Sequence, residues 1–177
     1  RVDISWLESL TLEGRASYYD SAGALKDMVQ NHLMEAMALV LMEQPARADA
    51  DSFRSVRVEA LRTVATPSAE RMRTDTIRAR YTAGTIGSRQ VPAYVDEPGV
   101  DPSRETETYA SLTLGLNSSR WDGVPFTLRS GKALETDSAE IAIHFRPLPR
   151  YLTDRFPGVE PNVLTIEGRV ILVEPLG

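Results

Sequence analysis

The sequence of 177 residues contains no cysteine. This absence excludes disulfide bonds, thiolate nucleophiles and cysteine-based metal centres, and it fits a reducing compartment such as the cytoplasm. Histidine is also scarce, since His32 and His144 are the only two in the chain. Because no acidic residue or second histidine stands at clear ligand spacing around His32, no metal site is expected.

Long apolar runs and clusters of basic residues are missing as well. No segment approaches the ~20 apolar residues of a membrane span, and no signal peptide is visible. The net charge is −5 and the basic residues are scattered, so we expect neither a membrane protein nor a nucleic-acid-binding protein. A hydrophobic content of 42% is sufficient for a core, and the length suits one domain.

The spacing of apolar residues predicts two helices in the first third of the chain. A long helix is expected from about Ser21 to Glu43, before Pro45. Its apolar face consists of Leu25, Met28, Val29, Leu33, Met37, Val40 and Leu41. A second helix is expected from about Asp51 to Val64, capped by Asp49 or Asp51. Its inward residues are expected to be Phe53, Val56, Val58 and Leu61.

Alternating apolar residues predict strands at the start of the chain and after Pro67. They lie near residues 2–6, 77–81, 110–116, 124–128, 141–145, 163–166 and 170–173. A turn-rich stretch from Gly84 to Ser103 is expected to form an ordered surface loop. Two helices followed by neighbouring strands predict an α+β fold, with a large antiparallel-rich mixed sheet and helices on one face.

An acid, an amide and a histidine interrupt the apolar pattern of the long helix. At about 100° per residue, Asp27 and His32 lie about 140° apart on an α-helix, so both could border one wide cavity. An imidazole titrates near neutral pH and can act as a general base. The alternative is a core histidine bonded to the backbone, which spacing alone favours.

A second polar segment lies between Arg120 and Leu134. Arg129 and Lys132 flank Gly131 in what is expected to be a tight turn, and two cations beside flexible backbone make a plausible anion site. A solvated loop is the alternative and is slightly favoured by these residues alone. The glycine spacing of a phosphate loop is absent. Glu8 is either a surface carboxylate or a neighbour of the polar end of the helix.

Five segments, in order and with matching spacing over Arg1 to Ile166, resemble the glucose-6-phosphate dehydrogenase family. The segments are Glu-Gly-Arg-Ala-Ser-Tyr-Tyr-Asp at 13–20, Asp-Met-Val-Gln-Asn-His-Leu at 27–33, Met-Glu-Gln-Pro at 42–45, Thr-Glu-Thr-Tyr-Ala at 106–110 and Arg-Trp-Asp-Gly-Val-Pro-Phe-Thr-Leu-Arg-Ser-Gly-Lys at 120–132. The resemblance moves the interpretation of His32 from a core residue to a catalytic one.

The resemblance implies oxidation of glucose 6-phosphate to 6-phosphoglucono-lactone with NADP⁺ or NAD⁺, the first oxidative step of the pentose phosphate pathway. His32 would be the general base, Glu8 and Asp27 would bind sugar hydroxyls, and Lys132 would bind the substrate. Arg129 matches a place where some members bind a second, structural NADP⁺. The region corresponds to a C-terminal α+β domain whose open sheet forms a homodimer interface.

The chain also departs from the family pattern. The N-terminal Rossmann-type coenzyme domain is missing, so residues 1–177 are expected to be a truncated C-terminal substrate-binding and dimerisation domain, inactive alone. Thr136 and Asp137 stand where a second cation is expected after Lys132, and Arg169 stands where a glutamine is expected. Two alternatives remain: a diverged, non-catalytic binding or assembly module, and a dehydrogenase for another sugar phosphate.

Overall fold

The computed structural model of the chain describes residues 1–168. The strands are β1 (Val2–Leu7), β2 (Thr76–Ala79), β3 (Gly84–Ile86), β4 (Arg89–Val91), β5 (Tyr109–Leu114), β6 (Phe126–Gly131), β7 (Ser138–His144) and β8 (Val163–Glu167). The α-helices are α1 (Ala16–Ala24), α2 (Met34–Leu41), α3 (Ala50–Arg62), α4 (Ala69–Thr74) and α5 (Arg150–Arg155). A π-helix, Leu25–Leu33, lies directly between α1 and α2 in the sequence and is called the π segment below.

Six strands form one mixed sheet in the order β2-β5-β6-β1-β7-β8, and β3 and β4 form a separate hairpin. The pair β1 and β6 is parallel, whereas the other neighbours in the large sheet are antiparallel. The first strand of the sequence therefore lies inside the sheet, between two strands that come more than 100 residues later. The predicted α+β class with an antiparallel-rich mixed sheet is confirmed.

The core lies between one face of the sheet and the long helical run. Val2 and Ile4 point to this face because side chains alternate along a strand, and they are buried beside Phe126 and Leu128 of the parallel partner. The π segment and α2 cover them with a continuous apolar stripe. Of the predicted helical face, Met28, Val29, Leu33, Met37 and Leu41 are buried, and Leu25 and Val40 are partly buried.

The long helical run differs from its prediction in start and geometry. It begins at Ala16 rather than Ser21 and ends at Leu41, after which Met42 is extended. At Gly23 the backbone leaves the helical region, with φ 67° and ψ 173°. The nine residues of the π segment have π rather than α geometry. One amphipathic pattern therefore contains a kink and a change of helical pitch.

The second helix confirms its cap but not all of its inward residues. The Asp49 side chain accepts a hydrogen bond of 2.9 Å from the Ser52 backbone N–H, as the cap prediction requires. Phe53 and Val58 were expected inward, but they are 39% and 42% exposed. The reason is that α3 packs mainly against α2, which covers a narrow stripe centred on Ala60.

Two further differences concern the second half of the chain. Arg129 and Gly131 lie within β6 rather than in a turn, and the turn follows at Ala133, whose φ is 56°. The predicted loop from Gly84 to Ser103 contains the β3–β4 hairpin and a short 3-10 turn. The predicted strand at 170–173 and the expectation for Arg169 lie outside the described residues.

Over residues 1–168, no helix is long and apolar enough to cross a bilayer.

Candidate active site

The parallel pairing of β1 and β6 brings two predicted site residues together. Leu7 is paired with Gly131 at the carboxyl ends of these strands, so the next residues, Glu8 and Lys132, stand side by side. The Lys132 Nζ donates a hydrogen bond of 2.7 Å to the Glu8 Oε2. Two residues 124 positions apart in the sequence thus form an ion pair at the end of the sheet.

This ion pair lies in a largely buried environment. Lys132 is only 6% exposed, and its Nζ lies 5.4 Å from the centre of the Tyr19 ring. Burial raises the pKa of the Tyr19 phenol, and the nearby Asp27 carboxylate raises it further. Tyr19 therefore stays neutral, and it provides an aromatic surface beneath the ammonium group.

The π geometry places Asp27 and His32 on the same side of the helical run. In a π-helix the backbone hydrogen bonds run between residues five apart, as from the Met34 N–H to the Val29 carbonyl here. Residues at i and i+5 are therefore neighbours along the axis, and the 140° separation of an α-helix does not apply. Both side chains line the same cavity. The expected shared cavity is present, whereas the expected angular separation is wrong.

The two side chains have different surroundings. The Tyr18 hydroxyl donates a hydrogen bond of 3.1 Å to the Asp27 Oδ1, and this bond raises the pKa of the exposed Tyr18 phenol. The His32 imidazole is exposed and lies beside the Trp6 indole, with ring centres 5.9 Å apart. The imidazole is not sealed in the apolar core, so it is accessible to a ligand.

A cavity of about 180 Å³ connects these groups. Its polar lining consists of Glu8, Arg15, Tyr18, Asp27, His32 and Lys132. Two carboxylates and two cations surround one imidazole, an arrangement suited to a ligand with several hydroxyls and an anionic group. Sequence reasoning assigned no role to Arg15, Tyr18 or Tyr19. Their positions could have indicated a role at this site, because Arg15 directly precedes the long helical run and Tyr18 and Tyr19 lie in its first turn.

Arg129 does not share this cavity. Its side chain and that of Asp3 lie on the opposite sheet face from Val2 and Leu128, as the strand alternation requires. The Arg129 Nη2 is 3.8 Å from the Asp3 Oδ1, and the His144 Nε2 is 3.1 Å from the Asp3 Oδ2. Of the two histidines, only His32 lines the polar cavity.

The fold and the cavity together define an α+β domain with a polar cavity of mixed charge at the end of its sheet. The chain belongs to the glucose-6-phosphate dehydrogenase family. The family model described as "Glucose-6-phosphate dehydrogenase, C-terminal domain" matches residues 1–170. The comparisons therefore support the resemblance that the sequence segments indicated.

The chain is similar to known glucose-6-phosphate dehydrogenases both in sequence and in structure. The glucose-6-phosphate 1-dehydrogenases of Zymomonas mobilis and Bacillus subtilis are each 39% identical over 166 residues, which is 93% of this chain and 34% of the relative. A solved structure titled "Glucose-6-phosphate dehydrogenase in complex with its substrate glucose-6-phosphate" has a TM-score of 0.80 at 31% identity. It matches over 94% of this chain and 32% of its own. The chain thus spans about a third of the length of the curated relatives it matches.

Proposed function

We propose that this chain is the C-terminal, substrate-binding part of a glucose-6-phosphate 1-dehydrogenase. The reaction is the oxidation of glucose 6-phosphate to 6-phosphoglucono-lactone. One observation carries the proposal: Glu8, Asp27, His32 and Lys132, which come from separate parts of the sequence, converge on one cavity. Family membership supplies the reaction class, and the cavity supplies the groups that this reaction needs.

Each side chain has a distinct role in the proposed reaction. His32 takes the proton of the C1 hydroxyl as general base, which its accessible imidazole permits. Asp27 and Glu8 accept hydrogen bonds from sugar hydroxyls. Lys132 binds the substrate through its buried ammonium group, which Glu8 orients through their hydrogen bond. The Tyr18 hydroxyl donates a hydrogen bond to the Asp27 carboxylate and orients it in the cavity.

The hydride acceptor is NADP⁺ or NAD⁺, and we assign its binding to polypeptide outside this sequence. Within residues 1–168 there is no glycine-rich strand–turn–helix unit of the kind that holds a dinucleotide. The small size of the cavity also indicates that polypeptide outside this sequence completes the site. At about 180 Å³ it is smaller than the roughly 300–1,000 Å³ of typical ligand sites, so another wall is needed to enclose a hexose phosphate.

We further propose a cytoplasmic homodimer that associates through the open sheet face. Side chains such as Asp3, Thr127 and Arg129 point to that face, whereas the π segment packs on the opposite face of β1 and β6. Arg129 also remains the proposed contact for a second, structural NADP⁺, at a place separate from the catalytic cavity.

Two polar residues of the π segment provide a matched test in the full-length protein that contains this chain. His32→Ala is expected to lower kcat by about 10²–10⁴, the usual contribution of a positioned base, with little change in KM. The control is Gln30→Ala, because Gln30 is exposed in the same segment but does not line the cavity, and its kcat should equal that of the wild type. An unchanged kcat in His32→Ala would contradict the catalytic assignment. Binding of glucose 6-phosphate without turnover in the wild type would instead support a non-catalytic module.

Asp137 favours a second candidate, a dehydrogenase for another sugar phosphate. The family resemblance implies a cation at this place, whereas here the Asp137 Oδ1 accepts a hydrogen bond of 2.5 Å from the Ser9 N–H. An anion therefore stands next to Glu8 rather than a second positive charge. Comparison of kcat/KM for glucose 6-phosphate with other hexose phosphates distinguishes the two candidates, since each predicts a different preferred substrate.

A further inference from the structure

The kink before the π segment is held by residues 106–108, which come from a distant part of the chain. The Thr106 hydroxyl donates a hydrogen bond of 2.7 Å to the Asp20 carbonyl, before the kink. After the kink, the Ala24 N–H donates to the Glu107 carbonyl at 3.1 Å. One short segment thus contacts the helical run on both sides of Gly23.

The Glu107 side chain completes this contact. Its Oε1 accepts a hydrogen bond of 3.0 Å from the Leu25 N–H, the first residue of the π segment. Its Oε2 accepts bonds from the Arg78 Nη2 and Nε at 2.8 and 3.2 Å. Glu107 is only 7% exposed, and a buried carboxylate must be compensated, which these donors do. Gly23 allows the close approach, because a Cβ there would lie 2.5 Å from the Glu107 Oε1.

Residues 106–108 also contact the backbone of Lys132, another residue of the site. The Lys132 N–H donates a hydrogen bond of 2.9 Å to the Thr108 carbonyl. Thr108 is completely buried, and its hydroxyl accepts a bond from the Tyr81 N–H. Residues 106–108 therefore connect the helical element that carries Asp27 and His32 to the residue that follows β6.

We propose that Glu107 is a positioning residue of the active site. It fixes the start of the π segment, two residues before Asp27, and thereby the orientation of Asp27 and His32 toward Glu8 and Lys132. Glu107 does not line the cavity, so it is assigned no contact with the substrate. Its catalytic consequence rests on the proposed function, whereas its structural consequence does not.

The test compares three variants of the full-length protein that contains this chain. Glu107→Ala removes both acceptors. Glu107→Gln retains an acceptor for the Leu25 N–H and gives up the ion pair with Arg78, whose half-exposed side chain can turn to water. Glu105→Gln is the matched control, because Glu105 is exposed two residues away. The measurements are kcat, KM for glucose 6-phosphate, and amide hydrogen exchange of residues 23–33 and of α3.

A positioning role predicts a specific pattern. In Glu107→Ala, kcat falls about 10–100-fold, since a displacement near 1 Å is sufficient for such a loss. KM changes less, because the Glu107 side chain does not hold Glu8 or Lys132, which bind the substrate. Amide exchange of residues 23–33 accelerates while that of α3 is unchanged. Glu107→Gln recovers most of kcat, and Glu105→Gln equals the wild type.

Two results would overturn the proposal. The first is a kcat in Glu107→Ala within about twofold of the wild type. The second is an equal loss in Glu107→Ala and Glu107→Gln with faster exchange throughout, which would show a general loss of stability. If the wild type does not oxidise glucose 6-phosphate, the proposed function fails. In that case, faster amide exchange confined to residues 23–33 in Glu107→Ala still supports the structural role of Glu107, and unchanged exchange refutes that role.

Discussion

Replacement of Gly23 by alanine probes the kink directly. The backbone at Gly23 has φ 67° and ψ 173°, a region that is essentially restricted to glycine and costs other residues about 1–3 kcal/mol. The new Cβ would also lie 2.5 Å from the Glu107 Oε1 and 2.9 Å from its Cδ. The carboxylate must then move away and lose the hydrogen bond from the Leu25 N–H.

The two effects add to a large destabilisation. A hydrogen bond to a charged group contributes about 1.5–3 kcal/mol, so Gly23→Ala is expected to lower the free energy of unfolding by about 2.5–6 kcal/mol. Gly14→Ala is the matched control. Gly14 also has a positive φ, 79°, but a Cβ added there would have no atom within 4 Å, so only strain of about 1–2 kcal/mol is expected.

The assay is urea unfolding monitored by circular dichroism. It compares Gly23→Ala, Gly14→Ala, Glu107→Ala and the double variant Gly23→Ala/Glu107→Ala. Because Glu107→Ala removes the colliding carboxylate, the double variant should be more stable than the sum of the single effects predicts, by about 1.5–3 kcal/mol. A Gly23→Ala variant no less stable than Gly14→Ala would refute the reasoning, as would strict additivity in the double variant.

Two further predictions concern the binding site and the response to high pH. Lys132→Ala in the full-length protein should mainly raise KM for glucose 6-phosphate in steady-state kinetics, because the ammonium group binds substrate; a loss in kcat alone would contradict this role. Burial raises the pKa of the Tyr19, Tyr81 and Tyr94 phenols, so above pH ~10 the unfolded chain releases protons that the folded chain keeps. The free energy of unfolding should therefore fall as the pH rises above ~10, by at most about 1.4 kcal/mol per pH unit for the buried Tyr19 phenol and by less for the more accessible Tyr81 phenol. A stability that is constant from about pH 9 to 11 would be inconsistent with this.

The sheet and most of the apolar helical face could be predicted from local patterns. Alternation of apolar residues identified β1, β5 and β7, because one face of each of these strands is directed toward the core. The same alternation identified β8, although its apolar side chains are about half exposed at the edge of the sheet. Turn residues misled the prediction at Gly131, which lies in β6 opposite Tyr109. A Cβ at Gly131 would be 2.5 Å from the Tyr109 ring, so this glycine permits close packing rather than a turn.

The geometry of the site depended on contacts that no local pattern contains. The π pitch changes the angle between Asp27 and His32, yet the apolar residues of the segment fit an α-helix equally well. The kink that precedes it requires Glu107, which is 82 residues from its partner Leu25. The pair Glu8 and Lys132 exists because the first strand inserts beside β6. Glu8, Asp27, His32 and Lys132, which the family resemblance selected, line one cavity, whereas Arg129 does not; none of their contacts was readable from spacing.

The central claim is that the π segment brings Asp27 and His32 to one sugar site opposite Glu8 and Lys132. A crystal structure of the full-length protein with glucose 6-phosphate tests it most directly. We expect the C1 hydroxyl within hydrogen-bond distance of a His32 ring nitrogen, with Asp27 on a sugar hydroxyl and Lys132 in contact with the substrate. A sugar bound elsewhere, or an α-helical segment that turns His32 away from Asp27, would contradict the claim.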